Sequence, residues 1–140
     1  MPAKYENLQV FEHLIADSTA AADKITFAVP FKCRVYRVQI LQTVSEVTTC
    51  TVEFDKQPTI GSANGRGAGD IGSIVFPGSD KLGYCYYDNA ARGTILYPGD
   101  GVVIKVTTGS TGDKGLVCQI LYDYVPEVEA NDTTNMVETA

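Results

Sequence analysis

The chain has 140 residues, of which 44% are apolar and 20% are charged, and its formal net charge is −6 at pH 7. These values are ordinary for a globular domain, exclude a wholly disordered chain and require neither a disulfide nor a metal for folding. No apolar run approaches the ~20 residues of a bilayer span, and the N-terminus lacks the charged-then-apolar order of a signal peptide, so we expect a soluble protein made in a cytoplasm.

Residues 1–17 are predicted to form an N-terminal arm. Leu8, Phe11, Leu14 and Ile15 lie at helix-like spacing among acidic residues. This spacing favours either a short helix or a docking arm. In both cases the apolar side chains must fold back onto the body of the protein or bind a neighbouring molecule.

Eight segments that follow have the composition of short β-strands, with turn formers between them. They are 23–29, 33–44, 50–55, 73–76, 81–88, 94–97, 102–107 and 116–124. This count, without sustained helical periodicity, is typical of a sandwich of two sheets. We therefore predict an all-β fold in which residues 18–125 form one jelly-roll-like β-sandwich.

The alternation of side chains within these segments predicts which residues are buried. In 50–55 the apolar positions alternate strictly with polar ones, as in a half-buried strand. Tyr36, Val38 and Ile40 are expected to share one face of the preceding segment. Leu41 then breaks the alternation, which indicates burial on both sides or a bulge.

Two connections between the strands are informative. Residues 97–101 read Tyr-Pro-Gly-Asp-Gly, a specific turn signal, because Pro presets the first turn position and Gly accepts a positive φ. Residues 57–72 are rich in glycine and are interpreted as a long irregular loop, a kind of segment that often has a function. The loop lacks the ending of a phosphate-binding motif, but Arg66 is able to hold a carboxylate and is a candidate contact.

The four cysteines are Cys33, Cys50, Cys85 and Cys118. They lie far apart and form no CxxC pair, so their spacing does not suggest a zinc site. Cys50 and Cys118 share the phase of their apolar neighbours and are expected in the core. We predict reduced thiols with a structural role.

The residues able to carry catalysis or bind a metal are few. His13 is the single histidine, and it lies outside the predicted core. Glu53 and Asp55 form a carboxylate pair, but on the solvated face of a strand. Calcium was considered at Asp70, Asp80, Asp88, Asp100 and Asp113, each of which sits beside turn formers and is expected to bond its own backbone. We predict no enzyme activity, no metal and no cofactor.

Tyrosines are concentrated near the middle of the chain. Tyr84, Tyr86 and Tyr87 form the strongest cluster, and Tyr122 and Tyr124 are expected as neighbours across a sheet. Such a row can stack on sugars or anchor a protein interface, but it can also fill the core and rim of a sandwich. We favour packing.

Residues 126–140 form an acidic C-terminal tail. Glu127, Glu129, Asp132 and Glu138 give it a charge of −4, so residues 1–125 hold the remaining 13 of 17 acidic residues and all 11 basic ones. A nearly neutral body without a basic stripe excludes nucleic acid as an expected partner. The apolar residues of the tail that are candidates for docking are Val128, Met136 and Val137.

The order of these features resembles a known family. An N-terminal arm, an Ile-Thr-Phe-Ala-Val-Pro strand, a glycine-rich loop, the Tyr-Pro-Gly-Asp-Gly-Val-Val-Ile-Lys-Val segment and a polar tail resemble the jelly-roll decoration, or cement, proteins of tailed-phage capsids. The resemblance spans roughly residues 20–125. It rests on the architecture and on the Pro-Gly-Asp entry into a strand.

The resemblance implies a structural virion protein on the outer capsid surface, made in the host cytoplasm. Such a protein binds subunits of the major capsid protein and assembles as a homotrimer. By the same analogy the arm and the tail reach neighbouring subunits, with Leu8, Phe11, Leu14, Ile15, Arg66, Val128, Met136 and Val137 as the expected contacts. An alternative with the same fold is a carbohydrate- or receptor-binding module of a phage tail or fibre.

Overall fold

The computed structural model describes residues 8–42, 49–57, 69–76, 85–109 and 115–125. Within these ranges every regular element is a β-strand, which confirms the all-β prediction. The strands are β1 (Gln9–Ile15), β2 (Ala22–Ala28), β3 (Cys33–Gln42), β4 (Cys50–Gln57), β5 (Gly69–Phe76), β6 (Cys85–Asp88), β7 (Ile95–Leu96), β8 (Gly101–Thr108) and β9 (Leu116–Tyr124). None of the described segments is a helix of the length and hydropathy that a membrane crossing needs.

The strands form two antiparallel sheets that pack face to face. Sheet A has the order β1-β9-β3-β6, with the short β7 also paired to β3, and sheet B has the order β2-β8-β4-β5. The first four strands thus pair with the later ones in reverse order: β1 with β9, β2 with β8, β3 with β6, and β4 with β5. This is one long antiparallel ribbon rolled into two sheets, and it confirms the jelly-roll prediction.

The core lies between the two sheets and is built from the inward side of each strand. β4, β8 and β9 follow the predicted alternation, so their apolar positions are buried and most of the intervening positions are not. The largest fully buried side chains include Phe54, Ile40, Ile104, Leu116 and Ile120. Burial of such apolar side chains is the main favourable contribution to folding.

β1 excludes one of the two alternatives for the N-terminal segment, the short helix, because Gln9–Ile15 is a strand. Residues 9–15 pair with β9 along their whole length, from Gln9 opposite Tyr122 to Ile15 opposite Leu116. Phe11 and Ile15 point toward the core, whereas Val10 and Leu14 are exposed on the other face. Because both faces of β1 carry apolar residues, its sequence lacks the alternation of an ordinary strand and imitates helical spacing.

β3 corrects the predicted position of Tyr36. Val35 lies opposite Tyr122 and Arg37 lies opposite Leu121, so Tyr36 is an extra residue in the strand. A bulge of this kind shifts the phase of a strand by one residue. Val35 and Val38 are therefore both buried, and Tyr36 does not share their face. The irregularity predicted at Leu41 is not found there, because Leu41 pairs regularly with Val117 and is exposed; the bulge in β3 is at Tyr36.

The predicted turn at residues 97–101 leads directly into β8. The backbone N–H of Tyr97 donates to the Asp100 carboxylate (2.9 Å), and the Asp100 N–H donates to the Tyr97 carbonyl (3.0 Å). Gly99 has a φ of 87°, which favours glycine. Asp100 is buried, and these bonds to its own turn provide partners for its polar groups.

Gln57 and residues 69–72, predicted as parts of the glycine-rich loop, belong instead to β4 and β5. Gly72 faces the other sheet, where a Cβ atom would overlap Cγ2 of the buried Val38. The absence of a side chain at this position therefore allows β5 to approach β3 closely. Arg66 and the rest of 58–68 lie outside the described residues.

We predict that Gly72→Ala destabilises the protein by about 1–3 kcal/mol, because Val38 is held in a packed core and has little room to move. The matched control is Gly69→Ala on the same strand, where no atom of the described residues, chain neighbours aside, lies within 4 Å of the added carbon; its effect should stay within about 0.5 kcal/mol. Neither glycine has a positive φ. Equilibrium urea unfolding of both variants measures the difference, and equal effects would contradict the assigned packing.

Candidate protein-binding face

The outer face of sheet A carries apolar side chains in a row across four strands. The strand register places Leu14 beside Val117, Val117 beside Leu41, and Leu41 beside Cys85. We call these four residues the apolar row. Leu14 is 60% exposed, and Leu41 and Cys85 are also exposed. Apolar side chains are therefore neighbours on this exposed face, and exposed apolar patches mark interaction surfaces when they are large.

A polar row runs next to it. The Gln119 amide donates to the Glu12 carboxylate (2.6 Å), and the Gln39 amide donates to the Gln119 side-chain oxygen (2.6 Å). Tyr87 lies opposite Gln39 and completes this row across sheet A. The side chains of three strands are therefore held in one orientation by two hydrogen bonds.

Apolar and charged groups share the next part of the face. Val10 lies beside Leu121, which lies beside Arg37. Farther along the same two strands, Arg34 of β3 lies opposite Asp123 of β9, and its guanidinium binds the Asp123 carboxylate at 2.6 Å. The outer face of sheet A thus combines exposed aliphatic residues with oriented polar groups, the mixture found in protein interfaces.

The outer face of sheet B is different in character. The Lys105 ammonium lies 2.8 Å from Asp55 and 3.5 Å from Glu53, and the Asp70 carboxylate belongs to the same group, with ligand-type oxygens within 4.8 Å of one another. Sequence reasoning placed Glu53 and Asp55 on the outer side, where they are, but did not predict that Asp70 joins them. Lys105 offsets part of their charge from within the sheet.

Asp55 has the most perturbed environment of these acidic groups. Its side chain is 13% exposed, and its Oδ1 atom is buried without a hydrogen-bond partner among the described residues. Burial raises the pKa of Asp55, the contact with Lys105 opposes this rise, and the neighbouring Asp70 adds to it. The folded protein therefore disfavours the charged form of Asp55 relative to water.

The other residues considered for chemistry have packing roles. The His13 ring stacks on Phe27 (4.6 Å between centroids). Asp88 accepts hydrogen bonds from the backbone of Ser73 and Ala90, and Asp100 belongs to the turn before β8. These bonds agree with the interpretation of both residues as turn-forming. Asp80 and Asp113 lie outside the described residues.

The four cysteines are free thiols, three of them buried. Burial raises the pKa of Cys33 to about 12, with a further contribution from the charge of Asp100. Burial likewise raises the pKa of Cys118 to about 12 and that of Cys50 to about 11. Cys50 and Cys118 lie in the core as predicted, while Cys85 is exposed in the apolar row.

The candidate contact residues of the N-terminal segment divide into two groups. Ile15 is buried and Phe11 is packed against Tyr122 (4.3 Å between ring centroids), so both belong to the core of the protein. Leu8 and Leu14 are exposed and remain available for contact. The other candidates, Arg66, Val128, Met136 and Val137, lie outside the described residues.

The tyrosines do not form the single cluster that the sequence suggested. β3 separates β9 from β6 in sheet A, so Tyr122 and Tyr124 do not neighbour Tyr86 and Tyr87. They surround Phe31 instead, with ring centroids at 5.6 and 5.4 Å. Tyr122 is buried, in agreement with the packing interpretation. Tyr84 lies outside the described residues.

Sequence reasoning did not identify most of the outer face of sheet A. Val10, Arg37 and Leu41 were not candidates, because they belong to one surface only when β1, β9, β3 and β6 lie side by side in sheet A. One available signal was the presence of apolar residues on both faces of β1. Read as a strand, that pattern indicates an exposed apolar surface.

Neither a protein-family model nor a curated protein matches the chain. Among solved structures, the crystal structure of PirA is similar over 88% of this chain and 97% of its own, with 14% sequence identity and a TM-score of 0.42. A similarity of this size is too weak to support a conclusion about the fold or the function of this protein. The fold assignment therefore rests on the strand order of this protein itself.

We predict that the stability contributed by Asp55 decreases as pH rises. The folded state binds the Asp55 proton more tightly than the unfolded state, so unfolding becomes easier as the pH passes from below 3.8, its ordinary pKa, through the raised folded value. Urea unfolding of wild type and Asp55→Asn between pH 3.5 and neutral pH isolates this contribution, because the other groups are common to both proteins. Wild type should lose stability relative to the variant, and the reverse slope would mean that attraction to Lys105 dominates.

We predict that a thiol reagent such as Ellman's reagent modifies one cysteine of the native protein at pH 7.5 and four in denaturant. Cys85 is exposed, whereas the other three thiols are buried and have raised pKa values, which keep the reactive thiolate scarce. Cys85→Ser should abolish the native reaction. Fast modification of a second thiol in native buffer would show that the core is not closed.

Proposed function

We propose that this chain is a non-enzymatic structural protein that decorates a phage capsid by binding subunits of the major capsid protein through the outer face of sheet A. It would act on the outer surface of the virion, as a homotrimer. The resemblance to jelly-roll cement proteins motivates the identity of the partner. The chemistry of the outer face of sheet A motivates the mode of binding.

The observation that carries the proposal is the contrast between the two outer faces. Sheet A exposes the aliphatic residues Leu14, Val10 and Leu41, together with oriented amides. The corresponding part of sheet B holds Lys105 among carboxylates. Contact with another protein removes the aliphatic area of sheet A from water, whereas contact at this part of sheet B would desolvate clustered carboxylates. Sheet A is therefore the face suited to stable docking.

A structural role also accounts for the reactive groups among the described residues. Glu53 and Asp55 are paired with Lys105, and three of four thiols are buried with raised pKa values. The histidine is stacked on Phe27. An acid–base or nucleophilic residue has to be accessible and poised to react, and these groups contribute to packing and ion pairing instead.

The pairing of the start of β1 with the end of β9 supports a further part of the proposal. Gln9 lies opposite Tyr122, so Leu8 and Val125 lie near the same end of sheet A. Residues 1–7 and 126–140 continue from this end and are proposed as additional contacts to neighbouring subunits. β1 is a strand of the sandwich, so a deletion that tests these contacts has to leave it intact.

We predict that Leu14→Asp weakens binding to undecorated capsids, assembled from the major capsid protein of the same virus, by at least tenfold, because a buried charge would replace an aliphatic contact. The matched control is Val75→Asp. Val75 is 54% exposed and Leu14 is 60% exposed, and both lie on edge strands, but Val75 belongs to sheet B. Cosedimentation with capsids measures both variants, and thermal unfolding verifies that they fold.

Equal affinities of the two variants would refute docking through sheet A. Failure of the wild-type chain to bind capsids at all would refute the proposed function. Deletion of residues 1–7 and 126–140 together should reduce capsid occupancy, and unchanged occupancy would restrict the contact to the sandwich. Saturable binding of the wild-type chain to glycans in place of capsids would favour the receptor-binding alternative.

A further inference from the structure

Two arginines on the outer side of sheet A are held against tyrosine rings. The Arg92 guanidinium lies 4.0 Å from the centroid of Tyr36, and Arg37 lies 5.3 Å from the same centroid and 4.9 Å from that of Tyr87. Both arginines thus stack on Tyr36, and Arg37 also contacts Tyr87. We call these four residues the arginine–tyrosine patch.

The backbone holds this patch in place. The bulge at Tyr36 puts Tyr36 and Arg37 next to each other outside the core. The Arg92 Nε donates to the Tyr36 carbonyl (3.1 Å), and Gly93 and Thr94 bond the backbone of Val35 on the other side of the bulge. Arg92 is therefore anchored through Nε, and none of the described residues forms a hydrogen bond with its two terminal nitrogens.

The two guanidinium groups carry charge that the described residues do not neutralise. Within the described ranges the ion pairs of sheet A join Arg34 to Asp123, and neither Arg37 nor Arg92 has a carboxylate partner. The Arg37 Nε is buried and makes no hydrogen bond to a described residue. Two like charges near one ring repel each other, and a bound anion relieves that repulsion.

The surroundings indicate which anion fits. Leu121 lies beside Arg37, Val10 lies beside Leu121, and the exposed ring of Tyr87 forms the opposite edge. A nucleic acid would need many more cations than the two arginines of the patch, because its affinity depends on the number of phosphates that are neutralised. An extended protein segment in which acidic residues alternate with aliphatic ones matches both the cations and the apolar neighbours.

We infer that the arginine–tyrosine patch binds carboxylate side chains of an acidic, aliphatic segment of the partner protein, with Arg37 and Arg92 as the anion-binding groups. The inference rests on the proposed function in that it takes protein as the ligand of sheet A. Arginine offers a planar pair of N–H donors that matches a carboxylate. Stacking on tyrosine orders these donors before the ligand arrives, which reduces the entropy lost on binding.

The experiment is an NMR titration of the full chain with the capped peptide Glu-Val-Glu-Val-Glu, and with its neutral counterpart Gln-Val-Gln-Val-Gln. The acidic peptide is expected to bind at least tenfold more tightly and to shift the amide signals of residues 36, 37, 87 and 92. The double variant Arg37→Gln/Arg92→Gln should lose at least tenfold in affinity. The matched control Lys24→Gln/Lys56→Gln removes the same charge from sheet B and should stay within twofold.

Two further variants separate this site from simpler explanations. Arg37→Lys/Arg92→Lys keeps the charge but removes the planar donors, so it should bind the acidic peptide more weakly. Full affinity would mean that positive charge alone attracts the peptide, and would overturn the assigned role of the guanidinium groups. Deletion of residues 126–140 should leave the affinity within twofold. A tenfold gain would mean that the acidic tail of this chain occupies the patch, and would overturn the assignment to a partner.

The outcome for the patch is independent of the outcome for the proposed function. If the chain binds capsids but Arg37→Gln/Arg92→Gln binds them as well as wild type, the inference fails and the function stands. If the peptide binds as expected and capsids do not, the function fails and the carboxylate site stands. Equal binding of the acidic and neutral peptides overturns the inference.

Discussion

The packing of two apolar sheet faces against each other is the constraint on which the remaining structure depends. A strand presents successive side chains to opposite faces, so one side of each strand has to remain apolar along its length. β4 and β9 satisfy this with alternating burial around Phe54 and Ile120, whereas β8 buries three successive residues, Val102, Val103 and Ile104. In β3 and β5 a bulge shifts the alternation of inward and outward side chains by one residue. The polar clusters on the two outer faces lie at these bulges.

Two bulges create the two polar clusters on the outer faces. The extra residue Tyr36 in β3 allows Val35 and Val38 to be buried and leaves Arg37 outside, where it stacks on tyrosine. In β5 the register passes from Gly72 opposite Phe54 to Asp70 opposite Asp55. Ile71 is thereby buried, and the Asp70 carboxylate joins the acidic group around Lys105. Bulges commonly redirect side chains in this way next to functional sites.

Much of the fold could be predicted from the sequence, and the remaining features could not be predicted, for physical reasons. The regular strands β4, β8 and β9 and the turn before Gly101 have local signals, since period-two alternation and Pro-Gly-Asp are visible in a few residues. The bulge at Tyr36 has no such signal, because it depends on how β3 pairs with β9. The same holds for the outer face of sheet A. Its rows join residues as distant in sequence as Glu12 and Gln119.

The apolar residues on the outer face of β1 explain why its sequence was not recognised as a strand, and they also support the proposed binding role of sheet A. Val10 and Leu14 remove the alternation that identifies a strand, and the same two residues supply exposed apolar area to sheet A. Such area carries a risk of nonspecific association. The hydrogen-bonded row of Glu12, Gln119 and Gln39 divides it into two strips, so a partner has to present apolar groups on both sides of a polar line. A partner without that pattern would leave the amides buried and unpaired, which costs binding free energy. In the proposed complex the polar row would therefore give specificity, and the aliphatic residues on both sides of it would give affinity.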